Sequence, residues 1–146
     1  MNSNLKEEII SLIENAKVSY VSSIDENGNP NTKAMLSLKH DGLDTYYFST
    51  NTSSKRVQQF LYNPKACIYF CDENNFMGLM LVGSIEVGRD RNYREMLWSE
   101  GCEAYYPKGI DDEDYSYLKF KAEWGNYYHG LRNTTFSIEE LCAFAI

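Results

Sequence analysis

The stretch FSTNTSSKR, residues 48–56, has the residue types and spacing of a site that binds an anion. A predicted strand ends there, and polar residues lead into a predicted helix that Thr52 or Ser53 can cap. The first N–H groups of a helix have no intrahelical acceptor and lie at the positive end of the helix dipole. Such a terminus readily binds a phosphate.

Two cations, Lys55 and Arg56, lie in the first turn of the same helix. Helices usually place acidic residues at this end, because the dipole repels cations. Hydroxyls, free amides and two cations fit together if a phosphate binds among them. The alternative is an ordinary cap beside a solvated basic pair, and these residues alone leave both interpretations open.

A third cation, Lys33, lies in the predicted strand TKAMLSLKH. Side chains alternate between the two faces of a strand. One face therefore carries Lys33, Met35 and Ser37, and the other carries Ala34, Leu36 and Leu38. Met and Leu on such faces are usually core residues, so Lys33 adds a candidate phosphate ligand without establishing one.

Short strands and a few helices must position these residues. An apolar stripe at helical spacing predicts an N-terminal helix capped by Asn4, and helical spacing returns over residues 53–64 and 90–101. Residues 102–114 look irregular, and the last ten residues are expected to form a turn or a helix. Strands are predicted over residues 18–24, 32–40, 43–50, 66–72, 77–88, 115–124 and 126–130.

This pattern predicts an α+β fold, mainly antiparallel β, with a small barrel or sandwich. The 146 residues fit a single domain spanning 1–146, and a hydrophobic fraction of 43% argues against disorder. A net charge of −7 without a basic stripe argues against binding of nucleic acid. No apolar run is long enough to cross a membrane and no signal peptide is visible, so we expect a cytoplasmic location.

No metal site is expected. The cysteines lack CxxC spacing and read as free thiols, and the acidic run over residues 111–114 is typical of a solvated loop rather than a cation site. The cysteines are Cys67, Cys71, Cys102 and Cys142, and the histidines are His40 and His129.

The order of several motifs resembles the FMN-binding split β-barrel family related to pyridoxamine 5′-phosphate oxidase. The series runs G-x-P, K-A-M, D-G, Y-F-S-T-x-x-S-S-K-R and N-P. The later segments GSIEV, DRNYREMLW and YYPKGIDDEDYSYLKFKAEWGNYY are similar to its short general-stress-protein branch. The resemblance covers roughly residues 5–128 and implies a split β-barrel with flanking helices that binds FMN.

The resemblance also implies which residues bind the cofactor. They are Lys33, Ala34, Met35, Ser49, Thr50, Ser54, Lys55, Arg56 and Trp124. Residues 33–35 match a strand segment that holds the flavin and its phosphate. Ser49 and Thr50 match the strand end beside the ring and the ribityl chain. Ser54, Lys55 and Arg56 match the family's phosphate-binding motif S-[RK]-[KR]. Trp124 matches, less closely, a late tryptophan near the flavin across the dimer interface.

The namesake activity is not implied. Leu38 stands where the family's substrate-phosphate lysine would be, and Lys39 is one step away on the other face. The Arg- and Ser-rich substrate segment is not visible, and the C-terminal R-x-H motif is missing, because residues 129–132 read HGLR.

The implied function is therefore that of an FMN-dependent oxidoreductase acting on an unknown small molecule. The cofactor would take a hydride from a reduced nicotinamide or a small organic donor and pass it to an acceptor such as oxygen or a nitro compound. A homodimer with FMN at or near its boundary is expected, and residues 105–106, 124 and 127–128 supply candidate interface aromatics. The alternatives are a sensor or carrier that binds flavin, F420 or haem without turnover, and a stress-response interaction protein with a vestigial pocket.

Overall fold

A computed structural model describes residues 2–37 and 39–144 of the chain. Its helices are α1 (Ser3–Asn15), α2 (Lys55–Tyr62), α3 (Arg91–Leu97) and α4 (Ile138–Ala143). Its strands are β1 (Val18–Ile24), β2 (Pro30–Leu36), β3 (Lys39–Asp41), β4 (Thr45–Asn51), β5 (Lys65–Asp72), β6 (Met77–Gly88), β7 (Tyr115–His129) and β8 (Arg132–Ser137). Short 3₁₀ turns occupy Cys102–Ala104 and Gly109–Asp111. The predicted α+β class with mainly antiparallel strands is confirmed.

The strands form one curled antiparallel sheet. Its order is β2-β1-β5-β6-β7-β4-β3, and β8 also pairs with β7. The two end strands, β2 and β3, follow each other in the chain, so Leu36 and Lys39 lie three Cα steps apart. Three steps span at most about 11 Å, which forces the ends of the sheet together. The strand predicted over residues 32–40 is therefore two strands, separated where the chain turns from one end of the sheet to the other.

The longest strand, β7, joins two parts of the sheet. Its first half pairs with β4 and its second half with β8, while β6 pairs along most of its other edge. The β6–β7 register shifts between Val82 and Gly83, where a Cβ on Gly83 would collide with the carbonyl oxygen of Lys121. Two corrections follow. The strands predicted over residues 115–124 and 126–130 are one strand, which ends at His129. A polar segment that no pattern predicted forms β8, which continues the sheet beyond β4.

The inner face of the sheet and helix α1 enclose the core. Fully buried members include Ile9, Val21, Ile68, Phe70, Leu79, Leu81, Leu118 and Phe120. The apolar stripe of α1 therefore packs as predicted, but the cap is Asn2 rather than Asn4, because Asn2 accepts the amide of Leu5 at 2.8 Å. No helix in the described ranges is both long and apolar enough to span a bilayer.

Candidate cofactor site

An open cleft of about 370 Å³ lies between β2 and the start of α2. Helix α2 packs across β1, whose Val21 pairs with Lys33 of β2. The predicted strand cation and the predicted helix cations therefore meet in space. The lining residues are Val21, Ser23, Asn31, Thr32, Lys33, Ser54, Lys55, Arg56 and Gln59. Of the nine sequence-predicted site residues, the fold brings Lys33, Ser54, Lys55 and Arg56 together in this cleft.

Helix α2 begins at the cleft with unpaired amides. Its cap is Ser54, whose Oγ accepts the amide of Val57 at 3.3 Å, so the cap is neither of the two predicted residues, Thr52 and Ser53. The amides of Lys55 and Arg56 find no acceptor within the described part of the chain. Two outward N–H groups at the positive end of the dipole therefore accompany the cations.

The guanidinium of Arg56 is only partly paired. Its Nη2 donates to Thr50 Oγ1 at 3.3 Å, while its Nε is buried without a hydrogen-bond partner among the described residues. Burial lowers the pKa of this guanidinium. A buried donor without an acceptor costs roughly 1–3 kcal/mol, a cost that an acceptor bound in the cleft would remove.

An acidic residue distant in sequence holds the turn that precedes α2. The carboxylate of Asp114 accepts the side-chain amide of Asn51 at 2.7 Å and the backbone amide of Ser53 at 2.8 Å. These hydrogen bonds lower the pKa of Asp114. Its carbonyl accepts the amide of Thr52 at 2.7 Å.

Two other carboxylates of the acidic run also contact protein groups. Asp111 pairs with Arg91, and Asp112 accepts the amides of Lys108 and Asp114 at 3.0 and 2.9 Å. Asp111 and Glu113 remain exposed, as expected for a solvated loop, while Asp112 and Asp114 also stabilise the local backbone. Within residues 2–37 and 39–144, no group of three His, Cys, Asp or Glu is arranged to hold a metal.

Four predicted site residues lie beside the cleft or in the core rather than lining it. Thr50 is buried and contacts Arg56, whereas Ser49 is half-buried with its Oγ 3.5 Å from the Tyr115 hydroxyl. Met35 is 8% exposed and packs in the core, and Ala34 pairs opposite the exposed Tyr20.

Trp124 lies on the outer face of the sheet and is 40% exposed. It pairs with Val82, which pairs with Cys67, while Met80 pairs with Tyr69 in the neighbouring row. Within one chain the structure therefore separates Trp124 from the cleft. The half-exposed side chains on this face form what we call the outer-face patch. It comprises Tyr20, Cys67, Tyr69, Met80, Val82, Trp124 and Tyr128.

Sequence reasoning missed four polar residues of the cleft, which are Ser23, Asn31, Thr32 and Gln59. Gln59 follows Arg56 by three positions, which places both on one helix face, so this spacing was an available signal. Ser23 had none, because its role depends on α2 packing over β1.

A curled antiparallel sheet with a cationic cleft at a helix N-terminus defines a split-barrel protein. A model of the family described as pyridoxamine 5′-phosphate oxidase matches residues 5–129, and the chain belongs to this family. Both the predicted family and the predicted split β-barrel are thereby confirmed. No curated protein matches the chain.

One solved structure is similar over almost the whole chain. It is a Clostridium acetobutylicum protein related to general stress protein 26 of Bacillus subtilis, of the pyridoxinephosphate oxidase family. It is 52% identical, with a TM-score of 0.88, and the match covers 97% of this chain and 99% of that one. The predicted likeness to general stress proteins is confirmed.

Two more distant structures share the fold alone. A pyridoxamine 5′-phosphate oxidase-related, FMN-binding protein from Nostoc punctiforme is 12% identical with a TM-score of 0.70, over 91% of this chain and 87% of that one. A heme-binding protein from Mycobacterium smegmatis is 16% identical with a TM-score of 0.75, over 98% of this chain and 62% of that one.

Proposed function

We propose that the chain binds FMN through this cleft and acts as an FMN-dependent oxidoreductase on a small molecule. The observation that carries the proposal is the buried, partnerless Nε of Arg56 beside the free amides of α2. Lys33 and Lys55 line the same cleft and complete a site for a phosphate monoester. The FMN-binding protein of the same fold from Nostoc punctiforme supports the choice of flavin.

The residues of the chain would hold and orient the cofactor. Lys33, Lys55 and Arg56 would neutralise its phosphate, and the strand end at Ser49 and Thr50 would lie along the ribityl chain and the ring. When bound, FMN supplies hydride acceptance and donation between a reduced donor and an oxidised acceptor. We assign no catalytic residue. The R-x-H motif of pyridoxamine phosphate oxidation is absent from the sequence, and Leu38 lies outside the described residues.

We also propose a homodimer in which the outer-face patch meets its copy. Two cross-strand rows and a 2.6 Å contact between the hydroxyls of Tyr69 and Tyr128 make the patch continuous. Tyr and Trp are favoured at interfaces. Most soluble oligomers are two-fold dimers that join identical patches. We propose in addition that the flavin ring extends from the cleft to the boundary between the copies, where Trp124 of one copy would approach the flavin of the other.

Haem is a weaker candidate. A heme-binding protein shares the fold, yet both histidines here contact other groups. His40 Nε2 lies 3.0 Å from Glu14 and its Nδ1 lies 2.6 Å from the Gly42 carbonyl oxygen. His129 Nδ1 lies 3.4 Å from Glu8 and is buried, with no hydrogen bond among the described residues.

The test is to purify the protein, release any cofactor by heat and identify it by chromatography. We expect FMN, or stoichiometric uptake of added FMN by the apoprotein, and bleaching of the flavin band by NADH or another reduced donor. FAD, F420 or haem as the sole ligand would refute the cofactor. FMN that no donor reduces would instead identify a flavin carrier or sensor.

A further inference from the structure

Gln59 lies in the cleft next to the cations. It follows Arg56 by one helical turn and lines the cleft with Lys33, Lys55 and Arg56. Its neighbour Gln58 is exposed and does not line the cleft. The two adjacent glutamines of α2 therefore have different surroundings.

A buried serine contacts the oxygen end of the Gln59 amide. Ser23 of β1 is 3% exposed, and its hydroxyl donates to Gln59 Oε1. The NH₂ end is the remaining polar end of the amide, and it finds no acceptor in the described part of the chain. An amide NH₂ group offers two donors and no acceptor.

This orientation is unfavourable for the cations of the cleft taken alone. A partly positive NH₂ group lines the same cleft as three cations, which would favour the amide oxygen on that side instead. An anion among the cations reverses the preference, because the NH₂ group can then donate to it. The orientation of the amide therefore fits a cleft that binds an anion.

We propose that Gln59 is a ligand-binding residue whose Nε2 donates to a phosphate oxygen of the monoester held in the cleft, with Ser23 as its positioning residue. This inference rests on the proposed function, since the monoester is taken to be FMN. It assigns the cleft a neutral contact in addition to its charged ones. That contact raises the affinity for a ligand whose phosphate lies within reach of both Arg56 and Gln59.

The experiment compares Gln59→Met and Gln59→Glu with Gln58→Met and Gln58→Glu, which make the same changes one residue away. FMN binding is measured by quenching of flavin fluorescence, inorganic phosphate binding by calorimetry, and folding by circular dichroism. Gln59→Met should lower the affinity for both FMN and inorganic phosphate about 10-fold, which is the loss expected for one hydrogen bond to a charged acceptor. Gln59→Glu should weaken them further, because it places a carboxylate against the phosphate. Both Gln58 variants should bind like the wild type.

A double-mutant cycle tests the role of Ser23. Ser23→Ala should weaken FMN binding in the wild type and have no further effect in Gln59→Met, because the residue acts only through Gln59. Equal effects of Ser23→Ala in both backgrounds would overturn that role.

The two proposals fail in distinguishable ways. Tight FMN binding by Gln59→Met would overturn the role of Gln59 and leave FMN binding intact. A wild type that binds phosphate but not FMN would refute FMN as the cofactor. The phosphate titrations would then test on their own whether Gln59 contributes to phosphate binding. A wild type that binds neither ligand would refute both.

Discussion

The carboxylate of Asp114 accepts the backbone amide of Ser53 at 2.8 Å, across 61 positions of the chain. A residue of the loop before β7 therefore holds the turn from which α2 starts. Because Lys55 and Arg56 follow immediately, their placement depends on a contact far away in sequence. Asp114 of the acidic run therefore stabilises the turn that positions the two cations.

Replacing Asp114 with Asn should lower the free energy of unfolding near neutral pH, because Asn cannot accept from both Asn51 and Ser53. The hydrogen bonds depress the folded-state pKa of Asp114, so its contribution is present above the unfolded pKa of about 3.9 and is lost as pH falls through the folded value. The difference between wild type and variant, measured by denaturant unfolding, should therefore shrink in acid. Glu113→Gln removes an equal charge from an exposed neighbour and is the control. A difference that does not depend on pH would contradict this linkage.

Replacing Lys55 and Arg56 together with Ala should weaken FMN binding at least about 100-fold, since each charge-assisted bond contributes about 1.5–3 kcal/mol. The fold should survive, because both side chains face the cleft and not the core. Lys65→Ala with Lys121→Ala removes two exposed cations elsewhere and should leave the affinity unchanged. An unchanged dissociation constant in the first double variant would move the phosphate to another site.

Trp124→Ala should weaken both dimerisation and FMN binding, because one residue of the outer-face patch would serve both. Met80→Asp, which buries a charge at the same interface, should have a larger effect on assembly. Sedimentation velocity over a range of concentrations measures the first property, and flavin fluorescence measures the second. Leu131→Ala, at an exposed turn outside the patch, is the matched control. A wild type that sediments as a monomer at micromolar concentration with FMN bound would refute the arrangement.

Pyridoxamine 5′-phosphate should be oxidised slowly or not at all. The R-x-H motif is missing, and Leu38 replaces the expected lysine, so a substrate phosphate would be desolvated without its partners, at a cost of several kcal/mol. Direct assay of pyridoxal phosphate production by the FMN-loaded protein checks this. Robust turnover would show that other residues bind this substrate.

The parts of the fold that depend on local pattern could be predicted from the sequence. The apolar stripe of α1, the polar start of α2 and the alternation that puts Lys33 and Met35 on one face all appear in the structure. Residues whose roles depend on distant packing could not. Ser23 requires α2 to cross β1, and Asp114 requires the loop before β7 to reach Asn51.

Composition misled at the last strand. The polar segment RNTTFS has little of the alternation that marks a strand, yet β7 extends past β4 and offers it a free edge. Alternation alone could not place Trp124 either. Leu118, Phe120 and Ala122 are buried at every second position, but the register shift leaves Glu123 without a partner on β6, and Trp124 therefore faces outward.

The place of β2 at the end of the sheet has a consequence for motion. The strand that carries Lys33 is hydrogen-bonded to β1 alone within the sheet, whereas α2 packs against both β1 and β6. An edge strand with one neighbour opens more readily than the interior of a sheet. A phosphate bound by both Lys33 and α2 would act as a removable cross-link between them. The amide hydrogens of β2 would therefore exchange more slowly in the protein with bound cofactor. The cofactor would then contribute to keeping the barrel closed.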